Sequence, residues 1–434
     1  MKKKLMTALL PFYVLTACTS PSNHLLKNAR EAGKITTEET TSTNFQTFLK
    51  GVHGFSARFT KNLCLEEDDK KENLTSSPLS VYFALLMASK VTDGNTKDEI
   101  LKVLNVKDDE KLNDDVRILY GLSQKEDKTE EKDVFSLKQV LANSIWFDKS
   151  IQLKDGILDK LSDEVFASSF DVNFKGDIDR SNKVVSEYVK KMTNGMIDKN
   201  FNFPSSTDIL LMNTLYLKTI WDDDGNDLSF SKDTYTFVNR DNSKKDMKLM
   251  YLPASIGKVL KGDGYSSYQA VSSGNISFRF ILPNEGKNLE DVMDEKTLTE
   301  VCQADYQGLD EENKKKYITK CYFPEFTGFT DTEVSPVLQK MGVHNLFSSD
   351  CDTTPLTDKK MTCDGIEHVA KLEVTRKGVE GSAVTVTHFT SAIGPGPKIY
   401  DEIYEDFIVD RAFGYVVLDR DGIPLFSGVT NTIR

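Results

Sequence analysis

The sequence predicts an α+β fold, on three observations. Helical patterns crowd the first half of the chain and strand patterns the second. The two do not alternate as a doubly wound sheet would require. And Ile209 to Ile220, Ile-Leu-Leu-Met-Asn-Thr-Leu-Tyr-Leu-Lys-Thr-Ile, is the near-continuous apolar run of a strand buried on both faces.

Taken in order, Phe45, Phe48, Leu49, Val52, Phe55 and Phe59 recur at helical spacing, so 45–63 reads as an amphipathic helix. Ser76-Ser77-Pro78 opens a second helix, Val81 to Lys90, with Ser at the cap and Pro in the first turn. Gly94-Asn95-Thr96 turns the chain into a third, Lys97 to Leu104. Val134 to Phe147 is mixed with a strand-like end. Lys154 to Phe166 and Ser181 to Met192 are helical, the latter stopped by Thr193-Asn194-Gly195. Beyond the central strand, Tyr235–Val238, Met247–Tyr251, Tyr268–Ser272 and Ile276–Leu282 read as strands. Leu289 to Val301 and Val334 to Met341 return to helix. Val369–Thr375, Phe407–Asp410, Tyr415–Asp419 and Pro424–Val429 are strand-like, with a turn signal at Asp421-Gly422.

The 434 residues carry a net charge of −12, which counts against nucleic acid as a partner. Lys2, Lys3 and Lys4 precede a short apolar run, Leu5 to Val14, that ends in Leu15-Thr16-Ala17-Cys18. This ending resembles the bacterial lipobox, which implies that Cys18 becomes a lipidated N-terminus; a plain signal peptide with a chance cysteine is the other reading. The run is too short to span a bilayer. The expected division is therefore 1–17 signal peptide, 18–44 flexible polar tether and 45–434 folded domain, anchored by lipid at a bacterial cell envelope, on its periplasmic or outer-surface side. Cys64, Cys302, Cys321, Cys351 and Cys363 remain, an odd number without a C-x-x-C pair. A Cys351–Cys363 disulfide would suit an oxidising compartment, but spacing does not establish it.

Catalytic patterns are missing. There is no H-E-x-x-H, G-x-S-x-G or P-loop, and Gly378-x-x-Gly381-Ser382 lacks the spacing of a nucleophile elbow. Asp222-Asp223-Asp224-Gly225-Asn226 lacks the rest of a calcium loop. No catalytic residue, metal or cofactor is expected. Two buried polar residues call for partners: Asn213 within the central strand and His368 beside the strand-like run at Val369.

One segment is physically at odds with itself. Val379 to Phe389 is mostly small or β-branched, as in a packed strand, yet it runs into Gly394-Pro395-Gly396-Pro397, the punctuation of an exposed loop. An edge strand followed by a turn is one explanation. A strand waiting to be inserted is the other.

Seven motifs in order carry a resemblance to the serpin family. They are Asn73-Leu74-Thr75-Ser76-Ser77-Pro78-Leu79-Ser80 with Gly94-Asn95-Thr96; Ala142-Asn143-Ser144-Ile145-Trp146-Phe147; Thr193-Asn194-Gly195-Met196-Ile197; Asn213-Thr214-Leu215-Tyr216-Leu217-Lys218 with Trp221; Leu282-Pro283-Asn284-Glu285; Pro324-Glu325-Phe326; and Pro424-Leu425-Phe426-Ser427-Gly428-Val429. The resemblance implies a fold of three β-sheets and about nine helices with an exposed reactive-centre loop. It implies a monomeric inhibitor rather than an enzyme, which traps a serine protease after cleavage by inserting the loop into the main sheet. That insertion is one of the known uses of strand addition. Cysteine proteases are further candidate targets.

By the same resemblance Ser77, Ser80, Asn213 and His368 match the shutter of the main sheet and Trp221 the breach where the loop enters. Gly378, Val379, Glu380, Gly381, Ser382 and Ala383 match the hinge. The register puts the scissile bond at Ala392-Ile393, which suits an elastase-like protease, with Lys398-Ile399 as a trypsin-type alternative. Alternation would turn Val379, Gly381, Ala383, Thr385, Thr387 and Phe389 inward, none of them charged or proline. Three departures stand out: Arg376 where many members have Glu, Gly381 where Ala is usual, and a longer stretch between Ala392 and Phe413. A non-inhibitory surface or binding lipoprotein of the same fold is the second functional reading.

Overall fold

The computed structural model describes residues 21–66, 72–108, 110–128, 135–221, 227–363, 365–379 and 400–433. Cys18, the hinge residues Glu380 to Ala383, and both expected reactive bonds, Ala392-Ile393 and Lys398-Ile399, lie outside the described residues.

Among the described residues the chain forms nine α-helices and twenty strands. β1 (Leu25–Lys27) and the single-turn α1 (Thr37–Thr41) precede the long α2 (Thr43–Glu66). Next come β2 (Leu74–Ser76), α3 (Pro78–Val91), α4 (Gly94–Leu104), α5 (Glu110–Leu122), β3 (Lys125–Lys128) and β4 (Phe135–Asp148). α6 (Ile157–Glu164), β5 (Ala167–Val172), α7 (Ile178–Met192) and β6 (Ile209–Ile220) complete the helix-rich half. The strand-rich half runs through β7 (Tyr235–Val238), β8 (Lys244–Met247), β9 (Met250–Ile256), β10 (Leu260–Lys261), β11 (Tyr265–Val271) and β12 (Ser277–Pro283). α8 (Glu295–Gln303), β13 (Leu309–Asp310), β14 (Lys315–Phe323), β15 (Phe326–Glu333) and α9 (Ser335–Met341) follow. β16 (Glu367–Thr375), β17 (Gly378–Val379), β18 (Asp401–Ile408), β19 (Phe413–Leu418) and β20 (Pro424–Thr430) end the chain.

The sheets explain the pattern. Eight strands build the main sheet in the order β1-β5-β4-β6-β17-β16-β15, with β3 also pairing β4. A six-stranded sheet, β10-β11-β12-β19-β20-β2, and a four-stranded one centred on β14 complete the expected three, and β7–β8 adds a hairpin. α3 lies wholly buried, which accounts for its apolar character on every side. Ser77 caps it, its hydroxyl accepting from Ser80 N at 3.4 Å. On the other face of the main sheet α7 covers a core in which Trp146 stacks on Phe170 at 4.2 Å and meets Tyr188 edge-on at 5.3 Å. Asn194 and Gly195, with φ of 52° and 82°, end that helix in left-handed geometry.

Three expectations change. The mixed reading of 134–147 resolves into the single strand β4, whose alternation is disguised because Gln139 and Asn143 are polar yet fully buried. Cys351 and Cys363 are both free thiols, so no disulfide joins them. The third concerns residues 21–44, assigned above to a flexible tether. They are built into the body: β1 pairs with β5 at the sheet's edge, and α1 is closed by a Thr36–Glu39 capping box.

Candidate functional site

The candidate site is the seam between β6 and β16. Among the described residues these strands do not pair with each other; only the two residues of β17 join them. Gly378 pairs with Ile220 and Thr375, and Val379 with Thr219 and Val374. Val379 is buried at 1% exposure, facing the core beneath the sheet as its inward assignment requires. Glycine is obligatory at 378 because a Cβ there would lie 2.1 Å from the Thr219 carbonyl oxygen and 2.7 Å from Ile220 Cα. Gly378→Ala therefore pushes β17 off β6, with an expected loss of about 1–3 kcal/mol measured by urea unfolding.

A dense set of contacts holds the turn that feeds β17. Trp221 Nε1 donates to the Thr375 carbonyl at 2.7 Å and Trp221 N to the Lys377 carbonyl at 3.4 Å, while its ring meets Phe323 edge-on at 5.3 Å. Arg376 is more than a departure from a family preference. Its N–H donates to Glu325 Oε1 at 2.8 Å, and its guanidinium reaches Asp227 Oδ2 at 3.2 Å and the Leu228 carbonyl at 3.3 Å, over the face of Phe230. Sequence reasoning missed this role, because the partners lie about 50 and 150 residues away and no local pattern announces them.

Below the hinge the seam is lined by polar groups. On the β16 side His368 Nε2 accepts from Ser77 N at 3.2 Å, and Ser77 and Ser80 hydroxyls share a 2.9 Å hydrogen bond. On the β6 side Asn213 Nδ2 donates to Asn143 Oδ1, and Asn143 Nδ2 passes the connection to the Val165 carbonyl at 2.7 Å. Asn213 thus bonds neither His368 nor the serines, and its Oδ1 is buried without a partner among the described residues. Asn143 was the overlooked member, although its register opposite Asn213 makes the two a cross-strand pair. The space between the strands, lined by Ser80, Asn213, Thr214, Val369 and Ala370 and roofed by Val189 of α7, amounts to about 30 Å³. That is roughly one water's share of volume, so a strand enters only if the sheet parts.

Burial holds the His368 imidazole neutral, its pKa pushed down to about 4 from the ordinary 6.5. Protonation would turn an N–H of the ring toward the Ser77 N–H. Because the folded value lies below the unfolded one, stability from this group is whole above pH 6.5 and falls as pH drops toward 4. The loss approaches roughly 3 kcal/mol. Urea unfolding of the wild type and of His368→Gln across that window measures it: the difference between them should shrink as the pH falls.

The geometry defines an α+β class of three sheets, in which, among the described residues, β17 joins β6 and β16 at one end of the main sheet only. The chain belongs to the serpin family: the model for Serpin (serine protease inhibitor) matches residues 50–432. Plasma serine protease inhibitor of Bos taurus is 26% identical, over 79% of this chain and 83% of its own length. The Homo sapiens protein of the same name is 25% identical over 78% and 82%. Among solved structures, the thermophilic serpin tengpin in its native state superposes with a TM-score of 0.71, at 21% identity over 94% and 97% of the two chains. Thyroxine-binding globulin in complex with thyroxine superposes at 0.69, with 20% identity over 89% and 99%.

Proposed function

We propose that this serpin inhibits serine proteases by offering Thr390 to Lys398 as bait and, once cut, drawing the segment up to Phe389 into the seam. The observation that carries the reading is the register of β17. Extending its pairing with β6, Gly378 to Phe389 align with all twelve residues from Ile220 back to Ile209. Extending its pairing with β16 places Thr385 opposite His368, as β6 places it opposite Asn213. A threonine hydroxyl there would give a partner to Asn213 Oδ1, which is buried without one among the described residues. On insertion in that register, Gly381, Ala383 and Thr385 would face the core with Val379, and Ser382, Val384 and Val386 would turn toward α7.

Ala392-Ile393 is the proposed scissile bond, favouring an elastase-like protease, and Lys398-Ile399 the trypsin-type alternative. Cys18 is the proposed lipid attachment site, holding the protein at a bacterial envelope. Incubation with elastase-type and trypsin-type proteases should give an SDS-stable complex and release a fragment whose N-terminus identifies the bond. Cleavage without any complex would reassign the chain to the surface or binding class, for which thyroxine-binding globulin shows that the fold serves.

A further inference from the structure

The segment ahead of α2 crosses the body along a defined path. Leu25 of β1 pairs with Phe170 of β5, Phe170 with Trp146 of β4, and Trp146 with Leu210 of β6. That row lies at the Ile209 end of the sheet, opposite the end where Gly378 meets Ile220. β1 is antiparallel to β5, which itself runs toward that lower end, so the chain before Leu25 heads the same way. His24 Nδ1 lies 2.8 Å from the Asp171 carbonyl, and Pro21–His24 packs on β5 and α7.

The segment is fastened along its length. Lys27 Nζ meets Asp159 at 2.5 Å, Ala29 N donates to Ser168 Oγ at 3.1 Å, and Arg30 N donates to the Ser162 carbonyl at 3.3 Å. Arg117 donates to the Ala32 carbonyl at 3.2 Å and pairs with Glu39.

We infer that this docked segment fixes the pose of the protein on a lipid surface, with the lower end of the main sheet toward the headgroups and the hinge and bait directed away. The inference rests on lipidation of Cys18 as proposed above. Three residue steps separate Cys18 from Pro21, at most about 11 Å. β6, which separates the two ends of the sheet, is about 40 Å long. A free tether of the 26 residues from Cys18 to Thr43 would have a root-mean-square reach of about 28 Å, enough to let the body tumble. The docked one does not reach far enough for that. An incoming protease then meets the bait on the face turned to solvent, not against the bilayer.

The test uses the full acylated chain in vesicles carrying an acceptor dye on their headgroups. A donor is attached through p-azidophenylalanine replacing either Arg180, exposed in the first turn of α7, or Tyr404, exposed to 70% on β18. Strong energy transfer from position 180 and background transfer from 404 is the expected result. Inserting about 20 residues of Gly and Ser between Ser20 and Pro21 should abolish the difference. Equal transfer from both positions of an acylated, vesicle-bound chain overturns the fixed pose alone. A chain whose mass shows no acyl group, and which stays off the vesicles, overturns the anchor and the pose with it.

Discussion

Cutting the Ala392-Ile393 bond is expected to raise the melting temperature by about 12 °C. Four inward side chains, Ala383, Thr385, Thr387 and Phe389, leave water at up to roughly 1.5 kcal/mol each, and a two-sided ladder adds to this, for a total on the order of 10 kcal/mol. Unfolding entropy of about 2 cal/mol/K per residue, over the roughly 390 residues of the folded part, converts that energy into the stated shift. Circular-dichroism melts of intact and cleaved protein measure it. No shift after complete cleavage would mean that the loop stays outside the sheet and that inhibition by insertion is wrong.

Thr385→Arg should turn the inhibitor into a substrate. The position falls between Asn213 and His368 in the extended register, on the core side of the sheet. A guanidinium there would be buried without a counter-charge, at a cost of several kcal/mol. Trapping depends on insertion outrunning hydrolysis of the acyl-enzyme. If half of a roughly 3 kcal/mol penalty is felt at the barrier, insertion slows about tenfold. The expected result is a rise of about tenfold in the ratio of cleaved to complexed inhibitor, with the rate of loop cleavage unchanged. Thr385→Ser, which keeps the hydroxyl, should leave both quantities near wild type. An arginine variant that still traps protease one for one would remove the extended register.

How much of this could be read in advance depends on where each interaction is local. The buried run of β6, the Ser77-Pro78 opening of α3 and the Thr193-Asn194-Gly195 stop of α7 are short-range signals and match the elements observed. β14 and β15 left no usable trace. Two lysines of β14 meet an acid or aromatic rings: Lys316 pairs with Glu402 of β18 at 2.7 Å, and Lys320 lies over Tyr251 of β9 and Tyr322 of its own strand. Their apolar alternation is diluted accordingly. The N-terminal segment was misread because its composition is that of a linker, while its order comes from a sheet edge and from partners more than a hundred residues away. At the seam, Asn213 and His368 were legible as buried polar groups. Their actual partners, Asn143 and Ser77, follow from strand register and helix placement, which no local window contains.

The parallel ladder between β14 and β18 sets a limit on slack. Asp401 is pinned opposite Lys315, and the far end of β14 at Phe323 adjoins Trp221 at the top of β6. Were the uncut chain to fill the seam down to Phe389, twelve residue steps would remain to climb back to Asp401, at most about 43 Å. The climb along β6 alone takes about 40 Å, which leaves almost nothing for the remaining path from Trp221 to Asp401, which pairs with Lys315 eight residues along β14 from Phe323. The leash is too short unless β18 peels from its neighbour and gives up its whole ladder. A single peptide-bond cleavage removes that constraint at once. On the proposed reading, chain length would hold the intact molecule as a catch holds a drawn spring, and a protease that cuts the bait would release the catch itself.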